Sequence, residues 1–219
     1  MCGVIGVSLK KVTDTDLEMV GNVFRESMIR GKHATGITYL KDKTLTTIKK
    51  PIPATEFLEE INFKDFVDRG NLRLIGHIRY STSDLRYNQP FQNEVVSIAH
   101  NGVISQDPDN WEFETETGND SELILRAFEQ QKHPLRFYAD RSMAVIRITH
   151  NALVGFRNHE RPLWYSEVDN GVVFASTQNI LSRAGLDNTM KCEPFVEYVH
   201  AGFQMVQQKY FENMHGDLQ

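Results

Sequence analysis

The sequence predicts an α+β domain with more than one layer of sheet. Many short strand-like runs are grouped between about three helical ones, a pattern that needs several packed layers to bury its apolar faces. The 219 residues, 40% hydrophobic and 24% charged, suffice for a sizeable core without disulfides or metals. No internal repeat or low-complexity linker interrupts the chain, so a single domain over residues 1–219 is expected.

Residues 3–9, "GVIGVSL", form an apolar run of strand length, expected to be buried. Over residues 14–31, Leu17, Val20, Val23, Phe24 and Met28 recur at helical spacing, acidic residues crowd the start, and Gly31 follows the last basic residue. "ATGITYL" and "TLTTIKK", separated by "KDK", read as a hairpin. Residues 54–67 predict a short, interrupted helix, and the apolar stretch from Leu72 to Ile78 a central strand ending at a polar loop. After "SDLRYNQPFQN" comes the strand "EVVSIAH", running into "NGVIS". Residues 106–119 are acidic and aperiodic, as for an excursion over the surface, and Trp111 within them reads as a loop anchor.

"DSELILRAFEQQ" is helical, with Leu123, Ile124, Ala127 and Phe128 on one face and Asp120 or Ser121 available as its cap. Four strands follow in "SMAVIRIT", "ALVGFRN", "PLWYSEV" and "GVVFAST", then a short helix in "TQNILSRAG". Residues 186–219 read as less regular, and the last eight, "ENMHGDLQ", as a fraying tail.

Charge and cysteine content narrow the function classes. With 24 Lys and Arg against 29 Asp and Glu, the net charge of −5 gives no reason to expect nucleic acid or an anionic membrane as the main partner. Cys2 and Cys192 are too few for a secreted disulfide framework, and no secretory leader or apolar run of membrane-spanning length is present, so the cytoplasm is the expected setting.

Several polar groups fall where strands are predicted to stop: Cys2, Arg79, Asn101 with Gly102, and Asp120 at the mouth of a helix. Cysteine attack on an acyl carbon needs a nucleophile, a base, donors for the developing oxyanion and groups that orient the substrate. If Met1 is removed, Cys2 carries both a thiol and an α-amine, whose reference pKa of about 7.7–8.0 suits a general base. Asn101 can donate through its amide and Gly102 through its backbone N–H. Arg79 suits a carboxylate and Asp120 a cationic amine, the two charged α-substituents of an amino acid. This chemistry alone does not separate glutamine from another amino-acid-like amide. His77 and His100 are spaced unlike a compact zinc motif, so no metal or cofactor is expected.

The ordered motifs "CGVIG" from Cys2, "RGKHATG" from Arg30, "GHIRYST" from Gly76, "AHNG" from Ala99, "NDSE" from Asn119, "RPLWY" from Arg161 and "FASTQNIL" from Phe174 span residues 2–185. Together they resemble the glutamine-hydrolysing domain of class II, N-terminal-nucleophile (Ntn) glutamine amidotransferases. That family commonly has His where this chain has Ile29 and Asp where it has His33. The resemblance implies the four-layer αββα sandwich of Ntn hydrolases, with Cys2 as nucleophile and its α-amine as base through water. It implies that Arg79, helped by Thr82, binds the glutamine α-carboxylate, that Asp120 with the Gly102 region holds the α-ammonium, and that Asn101 and the Gly102 N–H form the oxyanion hole. The implied reaction passes through a γ-glutamyl thioester to glutamate and ammonia. Family members commonly join this domain to a synthase domain, and this chain ends near where one would begin, so a separate synthase subunit is an expected partner. The competing readings are an inactive subunit that binds or regulates a synthase, and a stand-alone γ-glutamyl amide hydrolase.

Overall fold

The computed structural model describes residues 1–81 and 87–209. In chain order the strands and helices are β1 (Gly3–Leu9), α1 (Asp14–Glu26), β2 (Ala34–Lys41), β3 (Thr44–Lys50), α2 (Ala54–Glu59), β4 (Leu72–Arg79), β5 (Phe91–Gln92) and β6 (Val96–Val103). They continue with α3 (Glu122–Glu129), α4 (Pro134–Phe137), β7 (Ser142–Thr149), β8 (Ala152–Arg157), β9 (Trp164–Val168), β10 (Gly171–Ala175), α5 (Gln178–Arg183), β11 (Thr189–Lys191), β12 (Val196–Ala201) and β13 (Gln204–Lys209). One antiparallel sheet runs β11-β9-β10-β1-β4-β2-β3 and the other β13-β12-β8-β7-β6-β5. Among the described residues no helix is long and apolar enough to cross a membrane.

Strand side chains alternate between faces, and here both faces of each sheet find apolar cover. Ile5, Leu74 and Ile78 pack with Val20 and Phe24 of α1, Phe57 of α2 and Leu181 of α5. Val4, Ile75, Ile146, Phe174 and Tyr198 fill the space between the sheets. Val145 and Phe156 turn the other way, onto Leu123 of α3 and Leu135 beside it in α4. The result is four layers, helix, sheet, sheet, helix, with β1 and β4 central in one sheet and β7 and β6 apposed to them in the other.

The local signals explain most boundaries. Thr13 and Asp16 close a reciprocal capping box at the start of α1, satisfying two of its orphan N–H groups. Asp42 and Lys43 both take positive φ, the geometry of a tight hairpin turn. Residues 54–67 split, as their interrupted periodicity predicts, into α2 and a 3₁₀ turn at Phe63–Phe66.

Of the two candidate caps of α3, Ser121 occupies the N-cap position, without a side-chain bond, and the Asp120 carboxylate reaches elsewhere. One expectation changes. Residues 186–209 are more regular than their sequence implies. β11 extends the first sheet, and β12 and β13 extend the second. Val196, Tyr198 and His200 alternate inward along β12, but polar residues in so short a run hide the period. The expected fraying tail at 212–219 lies outside the described residues.

Candidate active site

The two central sheets bring Cys2, Arg79 and Asn101 to one end of the sandwich. Cys2 precedes β1, Arg79 ends the antiparallel neighbour β4, and Asn101 lies near the end of β6 in the facing sheet. Asn101 and Gly102 are paired with Ala144 and Met143 inside β6, rather than following a strand that stops at His100. A cavity of about 360 Å³ opens here, lined by Cys2, His77, Arg79, Gly102, Trp111 and Asp120 among others.

The Cys2 backbone N donates to Asn101 Oδ1 at 3.2 Å, which fixes the amide's orientation. Asn101 Nδ2 is buried and has no partner among the described residues, in a residue only 2% exposed. An unpaired buried donor costs about 1–3 kcal/mol, a cost expected where a substrate oxygen is to be received. The Cys2 Sγ lies 3.9 Å from the Tyr80 carbonyl. Arg30 Nε donates to the Cys2 carbonyl at 3.3 Å, and its Nη2 is likewise buried without a partner. Burial depresses the Arg30 guanidinium, Cys2 offsets part of that, and the nearby Arg161 depresses it further.

Gly102 is required by its backbone. At φ +156° a Cβ would lie 1.8 Å from the Ser142 carbonyl oxygen. Gly31 is required by close approach, because a Cβ there would come within 2.3 Å of the Arg79 carbonyl carbon. The loop that Gly31 begins braces the end of β4 through His33. Its N–H donates to the Arg79 carbonyl at 3.0 Å, and its Nδ1 accepts from Ser81 N at 2.8 Å. An imidazole nitrogen thus supplies the acceptor for a backbone N–H that a carboxylate at this position would also supply.

Arg79 is 8% exposed and oriented by the Tyr87 carbonyl and Asn88 Oδ1, each 2.7 Å from Nη1. Both are neutral acceptors, and they orient the guanidinium at the end of β4. Asp120 Oδ2 accepts from Ile104 N at 2.7 Å and Ser105 N at 3.3 Å, and among the described residues Oδ1 has no hydrogen bond. The carboxylate therefore closes the base of the loop 104–121 and still presents an oxygen to the cavity. Thr82, expected to help Arg79, lies outside the described residues.

Sequence reasoning passed over several contributors. His77 is 1% exposed with an unpartnered Nε2. Burial, then Arg79 and His100, push its pKa down to about 3, so it is neutral at physiological pH. Gln89 accepts from His100 N at 2.6 Å and donates to Ser121 Oγ at 3.1 Å, tying β6 to the start of α3. Trp111 packs against the outer core yet also lines the cavity, with a buried, unpartnered Nε1. These partners come from distant chain segments, and no local spacing announces them. Among the described residues no group of three His, Cys, Asp or Glu side chains is placed to hold a metal ion.

The four layers are those of an Ntn-hydrolase-type sandwich, and in fold the chain is similar to solved structures of glutamine amidotransferases. The glutamine phosphoribosylpyrophosphate amidotransferase of B. subtilis superposes with a TM-score of 0.77 at 20% identity, covering 97% of this chain and 50% of that one. A glutamine aminotransferase class-II domain protein from Silicibacter pomeroyi gives 0.60 at 10% identity over 96% of this chain and 99% of that one. A predicted glutamine amidotransferase from Pseudomonas aeruginosa gives 0.51 at 13% identity, covering 94% and 95% of the two chains. The chain thus spans half the length of the first of these and nearly all of the other two. No family model and no curated protein matches the sequence.

Proposed function

We propose that the protein hydrolyses the side-chain amide of glutamine through a thioester at Cys2, releasing ammonia for transfer to an acceptor. The observation that carries this reading is the Asn101 amide, whose oxygen accepts from the Cys2 nitrogen while its buried Nδ2 has no partner among the described residues. The proposed mechanism begins with removal of Met1, which is 63% exposed, so that the Cys2 nitrogen becomes an α-amine.

The α-amine, through water, takes the thiol proton, and sulfur attacks the side-chain amide carbon. The carbonyl π electrons move onto oxygen, where Asn101 Nδ2 and the Gly102 N–H hold the charge. The C–N bond then breaks, the leaving nitrogen takes the proton from the α-ammonium, and ammonia departs. Water adds to the γ-glutamyl thioester by the same base and oxyanion donors, giving glutamate and the free thiol. Arg79, with Thr82, holds the substrate α-carboxylate and Asp120 its α-ammonium, so the charged ends fix which carbonyl reaches Cys2. A separate synthase subunit in the cytoplasm is the proposed consumer of the ammonia.

The test is glutamate and ammonia production by purified protein whose N-terminus has been established by mass spectrometry. Turnover that disappears in Cys2→Ala supports the reading. Protein correctly processed to Cys2 that binds a synthase yet turns over neither glutamine nor a γ-glutamyl amide, alone or in the complex, would instead be a regulatory subunit.

A further inference from the structure

Among the described residues, buried polar atoms without partners collect at both ends of the space between the sheets. At the Cys2 end they include Asn101 Nδ2, His77 Nε2 and Arg30 Nη2, which belong to the proposed reaction. At the opposite end they are Ser8 Oγ, Arg73 Nε and His200 Nδ1, which that reaction does not use.

The topology places these three groups together. Ser8 near the end of β1 is paired directly with Arg73 at the start of β4. Both side chains follow the alternation of Val4 and Ile75 and so face the second sheet. His200 on β12 is opposite Leu153 of β8, and Leu153 Cδ2 covers Gly6, two residues before Ser8. Ser8 is 0% and His200 3% exposed.

The field at this end is positive. Burial, then Arg73 and Lys10, push the His200 pKa down to about 4, so the imidazole is neutral and can direct an N–H from Nδ1. Arg73 is depressed by burial, and it donates to the His150 carbonyl at 3.0 Å. Asp68 shares a small cavity with Arg73 and Phe203, but among the described residues its carboxylate pairs with Arg69, 3.9 Å from Nε, and not with Arg73. A desolvated guanidinium without a counter-charge is costly, and an anion relieves that cost while satisfying the neighbouring donors.

We infer that this end of the inter-sheet layer binds a small oxyanion, phosphate in size and charge, through Arg73, Ser8 Oγ and His200 Nδ1, with Lys10 at its rim. The site is independent of the glutaminase reading, and its ligand is either inorganic phosphate or the phosphate of a monoester.

Calorimetric titration and thermal melting of the full chain with inorganic phosphate, and separately with glycerol phosphate, test it, using chloride at matched ionic strength as reference. Saturable binding of either, with a raised melting temperature that chloride does not reproduce, is the expected result, and the tighter ligand identifies the source. Arg73→Met is expected to weaken binding about a hundredfold or more. Ser8→Ala, which removes only an oxygen without a partner, is expected to weaken it about tenfold and carries the test if Arg73→Met does not fold. No saturable binding by the wild-type chain, affinity unchanged in the folded variants, or only water at the three atoms in crystals grown with phosphate would overturn the inference.

Discussion

Asn101 accepts from the Cys2 nitrogen through its amide oxygen, and in the proposed mechanism its amide nitrogen serves the reacting oxygen. Asn101→Ala is therefore expected to lower kcat by about 10²–10³-fold with little change in KM, measured as steady-state glutaminase rates, because the lost donor acts on charge that develops only in the transition state. Arg79 behaves oppositely. In the proposed mechanism its guanidinium, oriented by the Tyr87 carbonyl and Asn88, holds a carboxylate that does not change during the reaction. Arg79→Lys keeps the charge but loses the planar fork, so KM is expected to rise about tenfold or more with kcat largely retained. A kcat loss as large as that of Asn101→Ala would place Arg79 in the chemistry itself.

At the scale of elements, two loops are held against the strand ends by buried contacts. Gly31 lets the first approach β4 so closely that a methyl group would press on the Arg79 backbone. Gly31→Ala is expected to destabilise the fold by about 1–3 kcal/mol in urea titration, and to depress kcat/KM more than an overpacked core position distant from the site would. The second loop, 104–121, is closed by Asp120 at its base and by Glu122, which accepts from Glu116 N and Thr117 N, both at 3.0 Å, and Thr117 Oγ1 at 2.7 Å. Burial pushes the Glu122 pKa up, but these bonds and the one from Arg126 outweigh it and hold the carboxyl below its ordinary range. Glu122→Gln is expected to cost roughly 1–3 kcal/mol of stability and to raise KM through Gly118 and Trp111, which that loop carries into the cavity.

For the whole molecule, burial has left neutral histidines at both ends of the inter-sheet layer. His77 titrates near 3 and His200 near 4, whereas in the unfolded chain both take up protons near the ordinary value of 6.5. Below that value the unfolded state binds more protons, so stability falls as pH falls from about 6.5 toward 4. Urea midpoints measured across that interval are expected to decline, and less steeply in His77→Gln. A midpoint that rises on acidification would mean that the histidines are paired and charged in the native state. The similarity in fold extends over 97% of this chain and 50% of the B. subtilis amidotransferase chain.

Composition, periodicity and motif order sufficed for the α+β class, for most elements and for Cys2, Arg79, Asn101, Gly102 and Asp120 as the groups to examine. These signals are local: apolar alternation, a helical face, a glycine where no other residue fits. They failed where an assignment depends on what lies across the fold. Asp120 reads as a helix cap until Ile104 and Ser105 are seen to take its carboxylate. His33 and Trp111 read as a departure and a loop anchor until Ser81 N meets one and the cavity the other. Ser8, Arg73 and His200 carry no motif, and their juxtaposition arises from pairing one sheet and stacking another upon it. Sequence determines which groups can do chemistry, because that resides in the side chain. Tertiary structure alone decides which of them are desolvated, partnered or left waiting, because burial and hydrogen bonding are set by neighbours far away in the chain.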